Sequence, residues 1–257
     1  MEELHWKQRG DMNCLLQEDA NTQFFHQFAN GRRWKNFITF LETDQEVISS
    51  QKAILEHAAS FYKSLFGSSL TSSMHLSPCF WQGRGSLTEE DKTDLIKPFS
   101  EEEIKAAIFE MKSASAPGPN GFGVQFFKQF WALIKDDYVS MFKYLFLGQL
   151  DLQRLNYGVI TLVPKIQGAS NIKQYRPICL LNVDYKGVTK VLTNRFTPLA
   201  TKLVGDNQTG FLKGRNILEG VLILHEVIHE LKSSGKKGLI LKIDFEKAYD
   251  KLRWDFL

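Results

Sequence analysis

Residues 239–243 (Leu-Ile-Leu-Lys-Ile) have strong strand character and run directly into Asp244. A carboxylate at the C-terminal end of a buried strand is where α/β architectures place ligand-facing chemistry. This junction constrains the fold more than any other feature, because a strand needs paired edges and an unpaired edge invites aggregation. One carboxylate cannot hold a catalytic metal, so Asp244 must work with groups supplied from elsewhere.

Most of the remaining chain reads as helix. Residues 5–41 predict a helix with a basic, aromatic end, and residues 42–65 a turn and a second helix with Ile54, Ala58, Phe61, Tyr62 and Leu65 at helical spacing. The Ser- and Gly-rich stretch 67–86 predicts a loop. Ser100 and Glu103 form a capping box ahead of a helical face of Ile104, Ala107, Ile108 and Met111. Ala116-Pro117-Gly118-Pro119-Asn120-Gly121 is a stiff turn. Two apolar helices, 123–134 and 136–148, precede a strand at 157–163 and a polar basic loop at 165–175. Arg176 is pushed into extended backbone by Pro177. A long basic helix fits 183–204, with a bend at Pro198, and Asn216 with Glu219 starts another that reaches about Ser234. The class is α+β and helix-rich.

An apolar fraction of 43% with 12% aromatics marks a folded chain. No apolar run approaches the roughly 18 residues of a membrane span, and the start is polar, so an intracellular, non-secreted protein is expected. Cys14, Cys79 and Cys179 are odd in number and far apart with no CxxC, so neither a disulfide framework nor a zinc knuckle is supported. The net charge of +3 conceals an asymmetry: residues 151–217 hold ten Lys/Arg against three Asp, while residues 42–110 hold six against twelve Asp/Glu. The basic block is either a polyanion-binding face or a solvated surface.

Three constellations could carry chemistry. His225-Glu226-Val227-Ile228-His229 matches HExxH, the spacing of a zinc site. Lys232 stands where the extended pattern wants glycine, and Val221, Leu224, Ile228 and Leu231 predict a buried stripe with His229 off it. The turn at 116–121 either joins two helices or lets its glycines approach a phosphate closely. Lys165, Lys173 and Arg176 flank a strand–loop–strand segment, and Arg176, held by Pro177, suits bidentate phosphate contact.

Taken together, these motifs resemble the reverse transcriptases of LINE-type (non-LTR) retrotransposons, particularly those of plant genomes. The resemblance is carried by SEEEIKAAIFEMKSASAPGPNGF (100–122), ITLVPKIQGASNIKQYRPICLLNVDYKGVTKVLTNR (160–195), QTGFLKGRNILEGVLILHEVIHELK (208–232) and LKIDFEKAYDKLRWDFL (241–257), with HWKQRGDMNCLLQEDANTQFFHQFANGRRWKNFITFLE (5–42) ahead of them. Residues 43–99 match weakly. The family fold is a right-handed polymerase, of which this chain would hold the fingers and the first part of the palm. Residues 1–99 would form an N-terminal helical extension and acidic linker, and 100–257 the polymerase domain.

The resemblance implies that Asp244 is the first palm carboxylate and a Mg²⁺ ligand, bridging two ions that activate the primer 3′-oxygen and stabilise the leaving pyrophosphate. Lys165 and Arg176 would contact nucleotide and template. The backbone from Phe245 to Ala248 would face the triphosphate, and Tyr249 would act as the steric gate against a ribose 2′-hydroxyl. Gly118, Gly121, Gln208, Gly214 and Arg215 would lie near the template–primer. The implied partners are an RNA template, a DNA primer and deoxynucleoside triphosphates. Asn120 replaces the usual Asp of the turn, and Cys179 the usual Ser after Arg176-Pro177-Ile178. The paired aspartates of a Tyr/Phe-Ala-Asp-Asp hairpin, the thumb and the endonuclease do not appear, so the expectation is a polymerase truncated within its palm and unable to extend a primer. The alternative is a non-catalytic RNA- or DNA-binding remnant.

Overall fold

The computed structural model describes residues 30–31, 33–67, 87–205 and 208–241. The elements are β1 (Leu41–Glu42), β2 (Val47–Ile48), α1 (Gln51–Gly67), α2 (Glu89–Ile96), α3 (Glu101–Glu110), α4 (Val124–Gln129), α5 (Trp131–Phe146), α6 (Leu152–Leu155), β3 (Gly158–Pro164), a 3₁₀ turn (Ile172–Gln174), β4 (Tyr175–Leu181), α7 (Val183–Leu203) and α8 (Ile217–Ser233). The predicted α+β, helix-rich class is observed. Two compact units divide the described residues: those up to 61 together with 98–191, and those within 62–97 together with those within 192–241.

The first unit is built on α3. Ser100 caps it by accepting from the Glu103 N–H at 3.2 Å, as its sequence requires. Ile104, Ala107 and Ile108 are then 0% exposed. They meet Val124 and Phe127 of α4, Trp131, Tyr138 and Phe142 of α5, and Val183, Val188 and Val191 of α7 in one core. Gly187 permits this packing, since a Cβ there would sit 3.0 Å from the Ile108 Cδ1. The break between α4 and α5 falls at Phe130 (φ −102°, ψ 17°) and not near residue 135 as the pattern predicts. Trp131, Tyr138 and Phe142 recur at i, i+7 and i+11, one face of an uninterrupted helix, so a break between them would turn Trp131 out of the core.

Beyond α5, β3 and β4 form an antiparallel hairpin in which Val163 faces Arg176 and Pro164 faces Tyr175. Its loop closes on an Asn171–Gln174 capping box. The short β1–β2 hairpin, unforeseen in the sequence, clamps that loop. The Glu42 N–H donates to Ser170 O at 2.8 Å, and the Ser170 hydroxyl donates back to Glu42 Oε2 at 2.8 Å.

In the second unit, α2 lies against the C-terminal half of α7. Thr88 and Asp91 form a reciprocal capping box at its start, each bond 3.1 Å. Asp91, only 9% exposed, gives its other oxygen to the Lys202 ammonium at 2.7 Å. At the other end Arg195 donates to the carbonyls of Leu95 and Lys97, satisfying groups that a helix C-terminus leaves open. Pro198 is accommodated inside α7.

Two sequence expectations are corrected. Leu239, Ile240 and Leu241 lie outside any strand and are exposed, because the described strands pair only within their own hairpins. The remaining expected strand residues, Lys242 and Ile243, lie outside the described residues. The stripe on α8 is also not buried: Val221 and Leu224 are 53% and 44% exposed, and no residue of the helix is buried. Periodicity identifies the face that seeks a partner, not whether a described partner is there.

Candidate nucleic-acid interface

The turn at 116–121 is fastened to the junction of β4 and α7. A Cβ on Gly118 would collide with the backbone nitrogen and side-chain oxygen of Asn182. Asn182 Oδ1 accepts from the Asn120 N–H at 3.1 Å, and the Lys186 ammonium donates to Ala116 O at 3.0 Å. Gly121 closes the turn at φ +78° by donating to Gly118 O at 3.0 Å, and nothing would oppose a Cβ there. Asn120 Oδ1 accepts from the Phe122 N–H at 3.1 Å, a bond an aspartate would also make. Gly118 thus serves the approach of one backbone to another, and Gly121 serves the left-handed turn.

Beside this junction, Asp184 accepts from the buried Tyr138 hydroxyl at 3.1 Å. Burial raises the Asp184 carboxyl above its ordinary value despite that hydrogen bond, and burial with the Asp184 charge raises the Tyr138 phenol. Burial lowers the Lys186 ammonium, and the electrostatic influence of Cys179 partly offsets this.

The hairpin itself is open to solvent. Arg176 is exposed, and among the described residues nothing accepts from its guanidinium. Its face carries Val163, Thr161 and Ile178, two-residue neighbours in the register, with Ile178 exposed. Lys165 lies just past β3 with its ammonium donated to Lys173 O at 2.8 Å, folded over the loop. A cavity at the base of this loop is lined by Glu42, Asp44, Glu46 and Glu56 with His57 and Lys173, a sign of charge unsuited to a polyanion.

In the second unit, the segment between α7 and α8 is organised by Arg215. Its guanidinium donates to Gly205 O (2.6 Å), Gln208 O (2.8 Å), Val204 O (2.9 Å) and Thr201 O (3.4 Å). It therefore caps the C-terminus of α7 and leaves little donor capacity for a ligand. The Gln208 side chain donates to Gly210 O at 3.3 Å, and Gly214 turns the chain at φ +86°. Phe211, which lies within the Gln208–Arg215 motif but carries no assigned role in the sequence, sits among them at φ +63° and is 94% exposed.

Asp244, Phe245, Ala248 and Tyr249 lie outside the described residues. Among the described residues no group of three or more His, Cys, Asp or Glu could hold a metal ion, so the HExxH spacing on α8 does not gather a ligand set. No described helix is long and apolar enough to cross a membrane.

Comparison with known proteins places these features in a class. Residues 163–257 match the family model of the reverse transcriptase (RNA-dependent DNA polymerase), a span that takes in Lys165, Arg176, Gln208, Gly214, Arg215 and Asp244. The chain is 29% identical over 255 residues to the transposon TX1 uncharacterized 149 kDa protein of Xenopus laevis, covering 97% of this chain and 19% of that protein. It is 26% identical over 158 residues to a retrovirus-related Pol polyprotein from type-1 retrotransposable element R2 of Nasonia vitripennis, covering 61% of this chain and 14% of the relative. Residues 163–257 are thus similar to a reverse transcriptase, and the chain as a whole is similar to transposon- and retrotransposon-encoded proteins. It spans less than a fifth of the length of these relatives.

Proposed function

We propose that the chain is the template- and nucleotide-handling region of an RNA-directed DNA polymerase of a non-LTR retrotransposon, with a right-handed fold contributing fingers and the start of the palm from residue 100 onward. The observation that carries this reading is Arg176. It lies in the reverse-transcriptase-like segment, is held in extended backbone on an open ribbon, and has a guanidinium with no acceptor among the described residues. A planar fork held this way matches the two oxygens of a phosphate. Lys165 would join it by releasing Lys173 O, a bond that a phosphate replaces at little cost because the site is exposed. The turn at Gly118 and Gly121 would act by fixing the hairpin base. Gln208 and Gly214 would shape the loop nearest the template–primer, with Arg215 positioning that loop.

Asp244 is proposed as a Mg²⁺ ligand, with Phe245, Ala248 and Tyr249 beside the incoming deoxynucleotide. When bound, the metal would supply charge stabilisation for the displaced pyrophosphate. The described residues do not provide its ligand set, and these 257 residues contain no Tyr/Phe-Ala-Asp-Asp sequence. The chain by itself is therefore expected to bind nucleic acid without extending a primer.

Two measurements test this. Titration with single-stranded RNA should give binding that weakens steeply between 50 and 200 mM salt, as counterion release requires. An absence of binding at low salt sinks the nucleic-acid reading. Primer extension on an RNA template with Mg²⁺ should give no product. Product that is lost in Asp244→Ala would show that the 257 residues suffice for catalysis.

A further inference from the structure

We propose that Phe211 is a stacking contact for an unpaired base of a bound nucleic-acid strand, presented by a loop that Arg215 locks in place. The inference rests on the nucleic-acid reading above and names a contact within it. Phe211 carries two local costs at once. Its φ of +63° is the left-handed region, which bulky L residues avoid because Cβ crowds the neighbouring carbonyl. Its ring is 94% exposed, so none of the burial that usually stabilises a phenylalanine is realised within the chain.

The loop holds this conformation through bonds on either side of the ring. Arg215 gathers the carbonyls of Val204, Gly205 and Gln208, and its own N–H donates to Leu212 O at 3.2 Å. Gln208 holds Gly210 O from the other side, and Gly214 supplies the return at φ +86°. Strain that the surroundings over-determine in this way is characteristic of ligand-contacting positions.

Lys213 identifies the partner's chemistry. It stands two residues from the ring, is exposed, and its ammonium has no partner among the described residues. An apolar protein surface closing over Phe211 would desolvate that ammonium without answering it. A nucleic-acid strand answers both groups: a base offers a face to the ring, whatever its sequence, and the adjacent phosphate meets the ammonium.

The test uses the 257-residue chain and a single-stranded RNA containing 2-aminopurine, whose fluorescence is quenched by stacking. Phe211→Ala and Phe211→Gly should each weaken binding about 5-fold or more and abolish the protein-dependent quench, while Phe211→Tyr stays within about 2-fold. Phe211→Gly should keep or raise the Tm, because glycine relieves the backbone. Lys213→Ala should reduce the salt slope of binding by about one. Unchanged affinity and quench in Phe211→Gly overturn the proposal and leave the nucleic-acid reading standing. A Tm that falls together with affinity identifies a packing residue and also overturns it. If the unsubstituted chain fails to bind RNA at low salt, both readings fall.

Discussion

Replacing Gly118 with alanine should cost more than any other single-methyl addition to the turn at 116–121, and the structure sets the scale. The new Cβ would overlap Asn182 N and Asn182 Oδ1 and lie 2.5 Å from Leu181 C. Two of these three atoms are backbone at the join of β4 and α7, so no side-chain rotation clears them. Overpacking of this kind costs about 1–3 kcal/mol. If the turn backs away it stretches the Asn120 N–H bond to Asn182 Oδ1, worth about 1 kcal/mol, and the exposed Lys186 bond to Ala116 O, also worth about 1 kcal/mol. The total is about 3–5 kcal/mol, or a fall in Tm of roughly 10 °C for a chain of this size. Gly121→Ala meets open space and pays only for φ +78°, about 1–2 kcal/mol. Thermal and urea unfolding followed by circular dichroism would read both. Equal costs, or a cost below about 1 kcal/mol at Gly118, would refute the argument and revive close approach to a phosphate as that glycine's purpose.

Arg176→Ala should leave stability within about 0.5 kcal/mol, since the guanidinium has no described partner, while lowering the salt slope of RNA binding by about one in filter-binding titrations. Arg215→Ala should behave in the opposite sense, with destabilisation of about 1–2 kcal/mol from the lost hydrogen bonds at the end of α7, of which only the one to Val204 O is part-buried, and faster proteolysis near Gly205–Gly214. Two carboxylates should titrate stability with opposite signs. The folded Asp184 is raised by burial, so its contribution is complete below the unfolded value near 4 and is lost as pH rises through the folded value. Asp184→Asn, whose Oδ1 still accepts from Tyr138, should therefore be more stable than the parent at pH 7 and equal to it near pH 3. Asp91 is lowered by Lys202 and by the Thr88 N–H, so its contribution is present above the unfolded value and lost on acidification. Asp91→Asn should narrow the gap to the parent as pH falls, as read by Tm against pH.

What the sequence disclosed depended on whether the deciding interaction was local. Ser100 and Glu103 lie one turn apart, and the α3 start follows from them. Arg176-Pro177 fixes extended backbone by a clash between neighbours, and β4 is found there. Asn216 caps α8 by accepting from Leu218 N–H, again within three residues. The Thr88–Asp91 box is equally local and was legible in Thr-Glu-Glu-Asp, but the surrounding acidity made the segment read as a linker. The other failures were of long range. The exposure of α8 and of Leu239–Leu241 turns on partners that no periodicity specifies, and the β1–β2 clamp joins residues 42 and 170.

Arg176 and Arg215 show why motif membership alone could not sort the candidate site. Both arginines fall in stretches resembling one family, both lie in the basic block, and both were expected at the nucleic acid. Their difference lies in acceptors. The carbonyls that occupy Arg215 belong to Thr201, Val204, Gly205 and Gln208, and a carbonyl is present at every residue, so no side-chain pattern reveals it. Arg176 stands exposed on the hairpin opposite Val163, and among the described residues nothing accepts from its guanidinium. A cation already answered by four carbonyls can shape a loop but has little left for a phosphate. A cation answered by none is poised to bind one. On the reading proposed above, the contact would move from the motif's arginine to what that arginine holds in place, Phe211 and Lys213.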